Sequence, residues 1–297
     1  MSRAGRIDVA FASRSLLGEG PVWDGSSGSL YWIDIEAARL SCGELRTGAY
    51  RSTQLPETPG AVVLTHDGRL AGAFQSGFAY LLRDGSGLSP IASIHAPDSG
   101  LRMNDGKCDG RGRFWAGSMY VDPTTGFGSL YRLDGANRAT PVVGETRIAN
   151  GLGWSPDDTL MYFIDTLTQR VDVFDFDVGT GAVSGRRTFC DLRSEDGVPD
   201  GLAVDSEGRL WVAMCFAGRV LCIDTEGAVV SRLDVPVSMP TSVAFGGESL
   251  RLLFVTTARK GLTDIELVEQ PLAGSVLVTD VGVAGLPVAK MADPVKA

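Results

Sequence analysis

Glu19, Asp105, Asn150 and Asp200 each stand immediately before a glycine that opens a run of strand-forming residues. Glu19, Asn150 and Asp200 together offer two carboxylates and a carboxamide, oxygen donors only. Carboxylates gathered into one cleft repel each other and favour a positive charge between them. A divalent cation answers that need. With neither Cys nor His in the set, a hard ion such as Ca²⁺, Mg²⁺ or Mn²⁺ suits it better than a structural zinc, although Zn²⁺ and Fe²⁺ also accept carboxylates. So few protein donors leave coordination positions for water or substrate, which is what metal-assisted hydrolysis requires.

These residues meet only if the fold brings them together, and an internal repeat supplies the means. GPVWDGSSGSLYWID from Gly20 to Asp34 reads as a strand, a polar turn and a second strand rich in aromatic and β-branched residues. Similar segments start at Gly60, Gly106, Gly151, Gly201 and Thr241. The starts lie about 40 to 50 residues apart, the length of a four-stranded propeller blade. Further alternating strands, such as GSLYRLD from Gly128 and RVDVFDFD from Arg170, supply the outer parts of the blades. The expectation is an all-β chain, a single six-bladed β-propeller over residues 1–297 with four-stranded blades around a central channel. Arg6 to Ser13 is left over as an N-terminal strand that closes the last blade and removes an exposed edge.

In this architecture the residue before each repeat start lines one mouth of the channel. The six are Glu19, Pro59, Asp105, Asn150, Asp200 and Pro240, with Asn104 beside Asp105. A lone Asp-Gly or Asn-Gly pair is ordinary turn chemistry. These fall at equivalent places before strands, whereas Asp67-Gly68 and Asp84-Gly85 fall within blades and read as turns.

Composition narrows the partners. The net charge of −9 repels nucleic acid and anionic lipid, and no basic stripe overrides it. No segment approaches the roughly 18 uninterrupted apolar residues of a membrane span, and Met1 to Ser13 lacks the apolar run of a signal peptide. A cytoplasmic protein acting on a small molecule is expected, with oligomeric state left open. Cys42, Cys108, Cys190, Cys215 and Cys222 have no metal or disulfide spacing and read as reduced, mostly buried thiols. Trp23, Trp32, Trp115, Trp154 and Trp211 read as blade packing, Lys107 and Lys260 as solvated residues, and His66 and His95 as surface-loop residues.

The chain resembles the family of regucalcin (senescence marker protein) and bacterial gluconolactonases. The resemblance rests on LGEGPVWD from Leu17, RMNDGKCDGRGRFWAGSM from Arg102, IANGLGWSPDDTLMYFIDT from Ile148, VPDGLAVDSEGRLWVAM from Val198 and TTARKGL from Thr256. It implies a six-bladed propeller with one catalytic divalent metal, held by Glu19, Asn150 and Asp200. It implies substrate contacts from Arg102 and Asn104, with Asp122 nearest to an acidic residue that members carry after the strand ending in Met. The implied activity is hydrolysis of a sugar-acid lactone, with Lewis-acid assistance at the carbonyl and Asp200 as general base as well as ligand. A Ca²⁺-binding regulatory protein of regucalcin type is the alternative. A protein-binding scaffold, suggested by LYWID from Leu30 and its similarity to the YWTD repeats of receptor propellers, gives no reason for Glu, Asn and Asp to share a mouth.

Overall fold

Short strands joined by tight turns follow from where this sequence places Asp and Gly. In the turn after the strand Leu101–Cys108, Asp109 Oδ1 accepts from the N–H groups of Arg111 and Arg113 (2.9 and 3.0 Å) while Oδ2 accepts from Trp115 Nε1 (2.9 Å). Asp205, after the strand Val198–Val204, does the same for Glu207, Arg209 and Trp211. One carboxylate thus closes the turn and orients the tryptophan of the next strand.

The computed structural model describes residues 6–292. Its strands form six four-stranded antiparallel sheets arranged as blades in a ring, a six-bladed β-propeller. The inner strands are Gly18–Asp24, Pro59–Leu64, Leu101–Cys108, Ala149–Trp154, Val198–Val204 and Pro240–Gly246, for blades 1 to 6. Second strands are mostly buried and rich in apolar residues, continuously so in Leu210–Cys215 (LWVAMC). Outer strands are polar and exposed, as in Tyr50–Gln54 (YRSTQ).

The core is divided among the blade interfaces. One cluster joins blades 1 and 2 through Ile33, Leu40, Leu64 and Phe74, and another joins blades 3 and 4 through Trp115, Trp154, Phe163 and Phe176. All five tryptophans are buried. At the ring's seam, Asp8–Phe11 pairs antiparallel with Val276–Asp280 as the outermost strand of blade 6. Phe11 stacks on Trp32 of blade 1 at 5.0 Å and fills the space over Gly43, where a Cβ would lie 2.4 Å from the ring. Of the span 1–297 expected to form the propeller, residues 1–5 and 293–297 lie outside the described residues.

On the face opposite the starts of the inner strands, residues 284–292 cross the channel. Ala284 O accepts from Ser206 N (2.9 Å) and Gly285 N donates to Leu250 O (2.8 Å), in blades 5 and 6. Met291 N donates to Leu64 O (2.7 Å) and Ala292 N to Gly112 O (2.9 Å), in blades 2 and 3. Among the described residues no helix is long and apolar enough to cross a membrane.

Candidate active site at the channel mouth

Each inner strand departs from regular pairing near its start. The register shifts between Glu19 and Val22, Pro59 and Ala61, Met103 and Gly106, Ala149 and Leu152, Pro199 and Leu202, and Pro240 and Ser242. A bulge bends its strand and re-aims the local side chain, here at the six mouth positions. The glycine that follows lets adjacent inner strands approach. A Cβ on Gly60 would sit 2.5 Å from Met103 O, on Gly151 2.6 Å from Asp200 O, and on Gly201 2.0 Å from Ser242 Oγ. Blade 6 has Thr241 instead, whose hydroxyl donates to Gly18 O across the seam.

Glu19, Asp105 and Asp200 share this mouth closely enough to act on one another. Burial, then the charges of Asp200 and Asp105, push the Glu19 carboxyl well above its ordinary range, with Arg102 opposing. Burial and Asp105 do the same to Asp200, again opposed by Arg102. Asp105 is raised by burial and relieved by Lys107 and by the Gly106 N–H, which donates to it at 2.7 Å. Glu19 Oε2 accepts from Gly20 N at 2.9 Å. Asp200 accepts no hydrogen bond among the described residues. Cys215, buried beside Asp200 and Glu19, is held protonated by burial and their charges.

A hydrogen-bonded chain crosses three blades. Arg102 Nη1 donates to Asn104 Oδ1 at 2.7 Å and to Met103 O at 3.0 Å. Asn104 Nδ2 donates to Asn150 Oδ1 and to Ala149 O, both at 2.8 Å. Asn150 Nδ2 donates to Thr166 Oγ1 (2.7 Å), which donates to Pro199 O (2.8 Å). The order of donors is fixed at both ends. Arg102 can only donate, and the Pro199 carbonyl can only accept, so Thr166 spends its single proton there and must accept from the Asn150 amide. Asn150 Oδ1 is thereby the oxygen left on the side of Asn104, where it has a second lone pair for a further partner.

The structure therefore brings Glu19, Asn150, Asp200, Arg102 and Asn104 to one mouth, with Asp105 among them. Asp122 stands apart from the polar cluster. It lies in the exposed loop after Tyr120, on the same face because Tyr120 pairs with Leu101 at the start of the inner strand, and its Oδ1 accepts from the N–H (2.9 Å) and hydroxyl (2.7 Å) of Thr124. Among the described residues no three His, Cys, Asp or Glu side chains converge tightly enough to hold an ion by themselves.

Sequence reasoning missed Thr166, which ends the FIDT run at the mouth, and misplaced Lys107. Lys107 was expected in solvent. It projects into the channel, where Nζ donates to Leu202 O at 2.7 Å and burial lowers its pKa, with Asp105 opposing. A cavity of about 280 Å³ continues from Asp105 and Lys107 to Leu286–Ala289 at the opposite face. His95 is half-buried against Tyr131 (6.0 Å between rings) rather than free in a loop, while His66 is exposed and Lys260 pairs with Glu36.

Residues 17–259 match the family model described as "SMP-30/Gluconolactonase/LRE-like region". Regucalcin of Oryctolagus cuniculus is 34% identical over 289 residues, covering 95% of this chain and 97% of that protein. "Putative sugar lactone lactonase YvrE" of Bacillus subtilis (strain 168) is 34% identical over 275 residues, 92% of this chain and 94% of its own. The crystal structure of a calcium-binding protein, regucalcin, from Agrobacterium tumefaciens str. C58 superposes with a TM-score of 0.92 at 30% identity, covering 97% of this chain and 98% of that one.

Proposed function

The chain belongs to the SMP-30/gluconolactonase/LRE-like family, and on that premise we propose that it hydrolyses a sugar-acid (aldono) lactone to the aldonic acid with one divalent ion. The single observation that carries this is the mouth itself: Glu19 and Asp200 both raised by burial and by neighbouring carboxylate charge, beside a hydrogen-bonded Arg102–Asn104–Asn150 chain. Glu19, Asn150 and Asp200 would hold the ion. They fit one, because both carboxyls stay raised even with the charge of Arg102 nearby, and Asn150 presents its oxygen rather than its NH₂. Ca²⁺ is the first candidate, then Zn²⁺, Mn²⁺, Mg²⁺ and Fe²⁺. When bound, the ion supplies Lewis-acid polarisation of the lactone carbonyl.

The rest is the work of the chain's own residues. Arg102 has committed only Nη1 to Met103 and Asn104, so its remaining N–H groups serve substrate oxygens. Asn104 holds Asn150 and Arg102 in register. Asp200 takes the proton of the attacking water as the new C–O bond forms, then returns it to the ring oxygen as the ring C–O bond breaks. Asp122, on the same face, is assigned an outer contact to a substrate hydroxyl. All five cysteines are free thiols, which supports a reducing, cytoplasmic setting.

The test is acid release from a panel of aldonolactones by chelator-treated protein, above spontaneous opening, with each divalent ion added back and with Asp200→Ala alongside. Ion-restored turnover that vanishes in Asp200→Ala is expected. If Ca²⁺ binds and no lactone opens faster than background, the Ca²⁺-binding regulatory reading replaces this one.

A further inference from the structure

Eleven large hydrophobic residues are exposed among the described residues, and seven sit in connections at the mouth face. Val121 and Phe127 flank the loop of blade 3, Leu167 follows Thr166 in blade 4, and Phe216 follows Cys215 in blade 5. Ile265 and Val268 stand on the short helix Asp264–Glu269 of blade 6, and Leu16 leads into blade 1. Three of the other four, Val9, Tyr50 and Val230, lie on outermost strands, and only Leu82 turns to the opposite face. Single exposed apolar residues are ordinary. An apolar rim drawn from five blades around a polar floor is not.

Two of these residues are tied to the site. Thr166, next to Leu167, accepts from Asn150, and Cys215, next to Phe216, lies within the field of Asp200 and Glu19. Phe216 is 65% exposed and sits at φ +67°, a left-handed conformation disfavoured for a bulky side chain. Ala217 N donates to Met214 O (3.2 Å) and Gly218 N to Ser238 O (3.1 Å), so the turn holds the ring out at the mouth. Backbone strain kept at a site's edge points to use of the side chain. Phe127 is fixed as well: the Arg147 guanidinium lies 4.0 Å from its ring centre and donates to Pro123 O (3.1 Å).

We propose that the mouth accepts lactones bearing an apolar alkyl substituent, the ring on the polar floor and the chain against Phe216 and Leu167. This rests on the hydrolase reading and adds a substrate class to it. Leu167 and Phe216 adjoin Thr166 and Cys215 of the site itself, so a molecule seated on the polar floor brings its substituents towards them. A flat anionic membrane would meet Asp122, Asp264 and Glu266 among the same loops.

The experiment follows kcat/KM for γ-butyrolactone, γ-hexanolactone, γ-octanolactone and γ-decanolactone with the metal-loaded protein, beside glucono-δ-lactone. Calorimetric titration with the matching 5-alkyl γ-lactams, which resist opening, reads binding without turnover. Each methylene that reaches the rim is expected to tighten binding about three- to fourfold. In Phe216→Gly with Leu167→Ser that gain falls to near onefold while glucono-δ-lactone stays within about twofold; glycine suits the φ of position 216, so folding is preserved. Lactam affinity that rises with chain length without any lactone opening supports the apolar mouth and removes the hydrolase reading alone. Affinity flat with chain length overturns the proposal, as does a double variant that changes only the oligomeric state on size exclusion, which would make the rim a self-contact.

Discussion

Thr166 is the residue whose removal separates position from chemistry. Its hydroxyl touches no group assigned to the reaction except Asn150, whose amide it orients. Thr166→Val is expected to weaken divalent-ion affinity about 10–100-fold, as loss of a hydrogen bond behind a metal ligand commonly does. Thr166→Ser should restore it, with competition against a fluorescent chelator as the measurement. Asp200 predicts an opposite pairing of effects. The folded-state pKa values of Glu19 and Asp200 lie above their unfolded values. In metal-free protein the stability tied to them is therefore complete below about pH 4 and is lost as pH rises towards the folded values. Asp200→Asn should abolish turnover yet raise the metal-free melting temperature near neutral pH by about 2–4 °C, and scanning calorimetry with and without chelator checks it. Repeat register alone places Glu19, Asp105, Asn150 and Asp200 at equivalent strand starts in the sequence, and the family resemblance singles out Glu19, Asn150 and Asp200 among them. Thr166 could not be selected in this way, since it ends a second strand and its role depends on Pro199 of the neighbouring blade. Lys107 was misread for a related reason. A lysine on an inner strand reads as solvated unless one knows that the Leu202 carbonyl of blade 5 faces it.

At the level of the strand, the six bulges and the glycines after them form one device. The bulge turns a side chain towards the axis, and the missing Cβ lets the neighbouring strand close in. Gly201→Ala would drive a methyl into Ser242 and is expected to cost about 1–3 kcal/mol, read as a lower denaturant midpoint. The glycines were visible in the sequence as the opening letter of five repeats; their reason was not, because the close approach is between segments 40 to 50 residues apart. The bulges were invisible altogether, since register is a relation between two strands. What was legible was the repeat itself, strand, polar turn and aromatic-rich strand starting about every 40 to 50 residues, and its six copies sufficed for blade count and fold.

For the ring as a whole, stability depends on its seam. The strand Asp8–Phe11 covers the edge of Val276–Asp280 and plants Phe11 on Trp32. Phe11→Ala is expected to cost about 3–5 kcal/mol and to favour association through the loosened edge, seen in thermal melts and light scattering. The crossing of residues 284–292 on the opposite face acts at the same scale. It puts the backbone and side chains of Leu286 to Ala289 across the end of the channel away from the mouth. On the proposed function, lactone and acid would both use the mouth, so fresh lactone would wait for the spent acid to clear, and an ion held by Glu19, Asn150 and Asp200 would leave by the same route. A hydroxy-acid product should therefore compete with substrate in steady-state rates, and saturating it should slow the stripping of the ion by chelator.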